Sequence, residues 1–381
     1  MVGVRGMVRT GRGAAALLAA TIGAAGGVAA CSSGTSRSLR DEIARADSAG
    51  QAAAMRAAPQ PGPPPGAVMT GSSAGPAGDT VRVGQGARAA TGTVLTVEYT
   101  RPRARRVAFA GDSLRNPESV KYDGDQDVFY VSNVSGLSAR KDNNGFISRL
   151  NADGSMGAVR LVEGGKGGVT LHAPKGMAIT GETLWVTDID AVRGFNRRSG
   201  ESVATVDLSS QGAKFLNDVA VGPDSALYVT DTGIQYDAKG LAQHPGPDRI
   251  FRIDPRTSAV SVALETNALN KPNGIAWDQA NGRFVIAPFG GDTLLAWRPG
   301  SNGLLPLAAG PGQFDGVLVL ADGRILASSW ATSAVHEIAP GRRSKVVDGL
   351  PGPADIEWDV RRNRLVVPLL GQNQVLFYEL R

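Results

Sequence analysis

The chain has 381 residues, of which 42% are hydrophobic and 20% charged, with a formal net charge of +5 at pH 7. Arg5, Arg9 and Arg12 supply three of those charges, so about +2 remains on the rest, too little to single out nucleic acid or an acidic membrane surface as a partner. One cysteine, Cys31, and three histidines exclude a disulfide framework, thiol catalysis within a folded domain and a zinc site of the usual nitrogen/sulfur kind.

Residues 1–30 carry those arginines, then an Ala/Gly/Leu run, and no acidic residue. A basic start, a short apolar core and small residues before a cut are the marks of a secretory signal. Val28, Ala29, Ala30 and Cys31 match the bacterial lipobox, which implies a lipidated Cys31 as the first mature residue. The expected product is extracytoplasmic and anchored to a bacterial membrane by lipid alone; Ser32 fits outer-membrane sorting in a cell with two membranes. The alternative is an ordinary signal peptide with a chance cysteine. Residues 31–90 are rich in Ala, Gly, Pro, Ser and Gln and hold too little apolar surface to order themselves, so they read as a disordered tether. A short helix over residues 39–58 would not change that. The folded part is expected over residues 91–381, long enough for one closed domain. The arginine run at 101–106 reads as a solvated surface.

From about residue 110 one unit recurs: a polar strand start, an alternating run, a tight turn and a β-rich return strand. The clearest copy spans residues 215–233, where Asn217 opens the first strand and Asp231 closes the second, so the two are expected at the same end of a hairpin. The starts fall at Glu118, Lys175, Asn217, Asn273, Asp315 and Asp355, at intervals of 57, 42, 56, 42 and 40 residues. Six copies of this length predict an all-β fold, a six-bladed β-propeller with four-stranded antiparallel blades. Third strands are expected at residues 145–150, 248–253 and 375–380, and a fourth at 203–208. The last copy runs out after its third strand. Its missing outer strand is expected at residues 94–99, a splice that closes the ring and removes two sheet edges.

First strands line a propeller's channel, so the six start residues form a ring at one mouth. The Glu, Asn and Asp members offer oxygen ligands suited to a hard cation. Asn-Asp and Asn-Gly are also common turn chemistry; their recurrence at equivalent ring positions favours a metal site. No glycine-framed nucleophile or Ser-His-Asp order stands out.

Pro117-Glu118-Ser119, Leu216-Asn217-Asp218, Pro272-Asn273-Gly274 and Phe314-Asp315-Gly316 resemble, in order, the motifs of the senescence-marker-protein/gluconolactonase family of six-bladed propellers. That resemblance covers about residues 110–381. It implies one divalent cation, Ca²⁺ first, with Mg²⁺, Mn²⁺ or Zn²⁺ as other candidates. It also implies Glu118, Asn273 and Asp315 as direct ligands, with Asn217 completing the site directly, through water or by contacting substrate. The activity implied is hydrolysis of lactones or related esters by a monomer acting on a small molecule, Asp315 being the catalytic residue that activates water. The alternative is a non-enzymatic propeller that binds a ligand or protein partner.

Lys175 departs from the pattern, because a lysine at a ring position repels a metal. Either its ammonium is turned away or paired with Asp355 or Glu118, or it meets an anionic group on the substrate, or it replaces the metal's charge. Lys175, Asp231 and Asp355 are therefore the expected substrate-binding residues, although capping of strand ends is the plainer role for Asp231 and Asp188. Asn133, Ser329 and Trp330 are expected near the same mouth. Residues 232–247, with Tyr236 and His244, form a long insertion in blade three. His172 has either a structural place or one facing the mouth. Trp185, Trp277, Trp297 and Trp358 are expected to pack between blades.

Overall fold

The computed structural model describes residues 81–83, 97–99, 104–237 and 241–380. The signal segment, Cys31, the possible helix at 39–58 and most of the expected tether lie outside the described residues. Among the described residues no helix is long and apolar enough to cross a membrane.

Six sheets, each with four antiparallel blade strands, follow one another along the chain. Blade one runs Pro117–Asp123, Val128–Asn133, Phe146–Asn151 and Met156–Glu163. Blade three starts at Leu216–Val221 and returns at Leu227–Asp231, with Leu216 opposite Asp231, so Asn217 and Asp231 do share one end of the hairpin. Its insertion holds a small hairpin of Gln235–Tyr236 paired with Ala242–Gln243. The expected third strands appear as Phe146–Asn151, Arg249–Ile253 and Gln374–Leu380, and the fourth as Ser202–Asp207.

The splice exists, but the closing strand is different from the one expected. Ala104–Ala110, not residues 94–99, pairs with Gln374–Leu380 in the sixth blade. Val97–Tyr99 instead runs parallel to Arg342–Val347 at the outer edge of blade five. Val81–Val83, within the segment expected to be a tether, pairs with it. Connection length supplies the physical reason. In the other five blades the link from outer strand to next inner strand is four to ten residues, and closing with Ala110 leaves six before Pro117. Of the arginine run, Arg105 and Arg106 are exposed in this strand, and Arg105 bonds Glu379 at 2.6 Å.

Each blade buries its faces against its neighbours, so the core is a set of interblade layers. Trp185 and Val192 of blade two pack with Leu216, Val229 and Phe251 of blade three. Across the closure, Phe129 meets Phe377 edge-on at 5.1 Å, and Ala110, Val131, Leu150 and Val366 join the same layer. Between blades three and four, Tyr228, Phe284 and Trp297 form an aromatic cluster. Trp185 and Trp297 are buried as expected, whereas Trp277 and Trp358 are half-buried.

Candidate metal centre

All six residues expected at the ring are buried, Asp355 lying two residues before its strand at Glu357–Asp359: Glu118 is 7% exposed, Lys175 1%, Asn217 5%, Asn273 6%, Asp315 4% and Asp355 9%. Three devices hold them at one mouth. The first is a carboxylate or amide at the end of a return strand, which accepts backbone N–H groups just before the inner strand of its own blade. Asn133 accepts from Arg115, Asp188 from His172 and Ala173, and Asp231 from Lys214, Phe215 and Gly233. Asp248 does this for blade four, taking the N–H of Lys271 at 2.8 Å and the His244 ring at 2.6 Å. Such charge-assisted bonds fix the entry angle of each inner strand.

The second device is a small hydroxyl on the return strand that donates to the next blade's inner strand. Thr187 donates to the Asn217 carbonyl at 2.5 Å, Thr230 to that of Asn273 at 2.7 Å, and Ser328 to that of Ala354 at 2.8 Å. The ring closes through Asp355, whose N–H donates to the Glu118 carbonyl and whose carboxylate accepts from Ser119 at 2.6 Å. Third, glycine follows three of the ring residues, Lys175, Asn273 and Asp315, because blades meet there; a Cβ on Gly176 would sit 2.5 Å from the Asp218 Cα. A Cβ on Gly274 would sit 2.6 Å from the Asp315 carbonyl oxygen, and one on Gly316 would sit 2.5 Å from the Ile356 nitrogen.

Against this fully bonded frame, three buried side-chain oxygens have no hydrogen-bond partner: Glu118 Oε2, Asn217 Oδ1 and Asp315 Oδ1. Buried polar atoms are nearly always paired, so three orphans from three blades at one mouth need an explanation. A hard cation accepts that donor set of two carboxylates and an amide, with Asn273 as the fourth oxygen source. Among the described residues no three His, Cys, Asp or Glu side chains cluster closely enough to hold a metal by themselves, so an ion held here would need the asparagines as well.

Residues 116–354 match the family model described as the SMP-30/gluconolactonase/LRE-like region. The chain belongs to this family. No curated protein matches it. Among solved structures, the fold is similar to that of a candidate gluconolactonase (20% identity, TM-score 0.55, covering 73% of this chain and 92% of that one). It is also similar to a gluconolactonase of Xanthomonas campestris (17% identity, TM-score 0.53, 72% and 91% covered). A virginiamycin B lyase of Staphylococcus aureus shares the fold too (12% identity, TM-score 0.50, 73% and 100% covered). At these identities the structures establish the propeller alone.

In this SMP-30/gluconolactonase-type ring, burial dominates the protonation of every acid. It pushes Asp315 up to about 8, the charge of Asp218 adding to the rise; the Trp330 indole opposes it, close by but with its N–H outside a well-formed hydrogen bond. Burial also raises Glu118, reinforced by the charges of Asp315 and Asp355 and opposed by Lys175. Asp355 rises through burial and the charge of Asp218, against its bond from Ser119. Asp218 reaches about 6 despite the N–H groups of Ile275 and Val219.

The sign follows for the metal-free protein. A carboxyl whose folded pKa is raised binds its proton more tightly folded than unfolded. Its contribution is present below the unfolded value near 3.8 and lost as pH climbs through the folded value near 8. Thermal unfolding in chelator should therefore shift to lower temperature between about pH 4 and pH 8. A divalent cation held by the ionised acids would reverse this and raise the midpoint more at pH 8 than at pH 6, calcium being the ion to add. A calcium effect independent of pH would contradict it.

Lys175 finds neither of the partners expected for it. No carboxylate lies within 4.0 Å of its ammonium among the described residues. It donates to the Ala173 carbonyl at 3.2 Å and lies 4.3 Å from the centre of the Phe215 ring. Ser329 donates to the Gly312 carbonyl, and His172 accepts the Asn143 N–H on Nδ1. The hydroxyl devices escaped the sequence reading, though their signal is there: a Ser or Thr one residue before the end of the return strands of blades two, three and five, at Thr187, Thr230 and Ser328.

Further along the inner strands, toward the other mouth, lies a cavity of about 440 Å³. Trp277, Trp358 and an ion pair of Lys121 with Glu357 at 2.7 Å line it, and Asp218 and Asp355 reach it from the ring.

Proposed function

We propose that the protein is a divalent-metal-dependent hydrolase of lactones or related esters. Membership of the SMP-30/gluconolactonase family suggests lactone hydrolysis. The observation that carries the metal-dependent reading is the set of three orphaned buried oxygens on Glu118, Asn217 and Asp315. Those residues and Asn273 would hold the ion. A bound divalent cation supplies polarisation of the lactone carbonyl and stabilises the charge that develops on its oxygen.

The chain's own residues do the rest. Glu118 and Asp315 bring two negative charges to the ring, and the asparagines add neutral oxygens. Asp315 takes the proton of the attacking water on a carboxylate oxygen. The proton then passes to the departing ring oxygen, giving a hydroxy acid. Thr187 and Thr230 keep the Asn217 and Asn273 backbones in place while this happens. Asp231, saturated by three backbone N–H groups, acts as a cap that holds Phe215.

The experiment is a pH-stat assay of a panel of γ- and δ-lactones with calcium and with chelator. Calcium-dependent turnover of any member supports the reading. Binding of calcium without turnover of any lactone or ester would favour the non-enzymatic propeller, for which the buried Lys175 is the specific observation. We also propose that Cys31 is lipidated and holds the domain outside the cytoplasm. A Cys31→Ser chain should leave the membrane fraction; one that stays there contradicts the anchor.

A further inference from the structure

Lys175 sits in blade two, across the six-membered ring from Asp315 in blade five. The residue is 1% exposed, and its ammonium donates to the Ala173 carbonyl. An ammonium carries three donors and a full charge, and burying it without a counter-ion is strongly unfavourable. The acids around it are committed elsewhere. Asp188 is spent on Arg193 at 2.6 Å and on the N–H groups of His172 and Ala173. Asp231 takes the N–H groups of Lys214, Phe215 and Gly233. Asp355 accepts from Ser119, and Glu118 belongs to the metal's donor set.

The charges of Glu118, Asp188 and Asp231 favour the ammonium form of Lys175, but none of these acids pairs with it. With Glu118 and Asp315 given to a divalent cation and Asp355 bonded by Ser119, Lys175 remains a positive charge with no ion-pair partner. The face of Phe215 beneath the ammonium attracts it weakly but brings no countercharge.

We propose that Lys175 recognises a carboxylate on the substrate, so that the molecule hydrolysed is a lactone or ester bearing its own acid group. The inference rests on the reading of this ring as the substrate site. The substrate then spans the ring, its acid at Lys175 and its reacting carbonyl on the Asp315 side. Its product is a hydroxy acid with two carboxylates, one newly formed.

The test uses two ring ethers without a hydrolysable bond, tetrahydrofuran-2-carboxylate and tetrahydrofurfuryl alcohol, titrated calorimetrically into the calcium-loaded protein. The carboxylate should bind roughly tenfold or more tightly than the alcohol. In Lys175→Met, and in Lys175→Gln as a second variant, the ratio should collapse to about one. Removing a buried charge that has no close partner leaves either variant folded. Equal affinities in the unmutated protein, binding of neither ether, or a preference that survives both substitutions would overturn the proposal; the last result would place the carboxylate on the metal. Because neither ether reacts, these outcomes are independent of whether the ring hydrolyses lactones, which the Asp315 variant addresses separately.

Discussion

Asp315→Ala is expected to lower kcat/KM for lactone hydrolysis by roughly 10³-fold or more while leaving the β-rich fold intact. Two features of the site combine to give this result. The substitution removes both a proposed metal ligand and the base that accepts the water's proton, and the other acids of the ring are engaged, Glu118 in the same proposed donor set. Asp355 is held by Ser119, and Asp218 by the N–H groups of Val219 and Ile275. Yet the Asp315 Oδ1 atom has no hydrogen-bond partner, and the Trp330 N–H beside it is unpaired as well, so alanine orphans no donor that is now satisfied. Far-UV circular dichroism and the unfolding midpoint in chelator should match those of the unmutated chain or improve. Activity within about tenfold of the original would remove Asp315 from the mechanism.

The second large effect concerns closure of the ring. A chain beginning at Gly111 lacks Ala104–Ala110 and so loses the strand that completes the sixth blade. It forfeits a ladder along Gln374–Leu380 and uncovers Phe377 in the layer between blades six and one. At about 1 kcal/mol for each backbone hydrogen bond, the loss is on the order of 5 kcal/mol before packing is counted. That corresponds to a fall of roughly 10–20 °C in thermal midpoint, or to aggregation through the bared edge. A chain beginning at Ala104 keeps that strand and lacks Val97–Tyr99, and it should unfold near the midpoint of the full chain. Equal midpoints for the two truncations would contradict the closure.

The blade repeat was legible because each hairpin writes itself twice, as an alternating run and as a turn, and because six copies reinforce one another. The ring was legible for the same reason: Glu118, Asn217, Asn273 and Asp315 stand at equivalent positions, and the structure brings them to one mouth. The closing strand was not. Residues 94–99 alternate more cleanly than Ala104–Ala110, whose arginines disguise it, and only the length of the link to Pro117 separates the two. Asp355 was placed at a strand start, whereas the strand itself is short, Glu357–Asp359, and Asp355 reaches the ring through a bridge to Ser119. Side-chain saturation is invisible in a sequence. Asp188 and Asp231 look as available as Asp315, and only the hydrogen bonds show that the first two are capped while the third is bare. The position of Lys175 is hidden for the same reason: a sequence shows two acids on the ring as candidate partners, not that Glu118 acts on it by charge alone and neither makes an ion pair with it.

Calorimetric titration of the folded domain with calcium, after stripping with chelator, addresses the central claim most directly. One saturable site per chain is predicted, with proton release that grows as the buffer is lowered from pH 8 toward pH 6, and with binding lost in both Glu118→Gln and Asp315→Ala. No saturable binding by the unmutated protein, or binding that survives both substitutions, would contradict a metal centre at this ring.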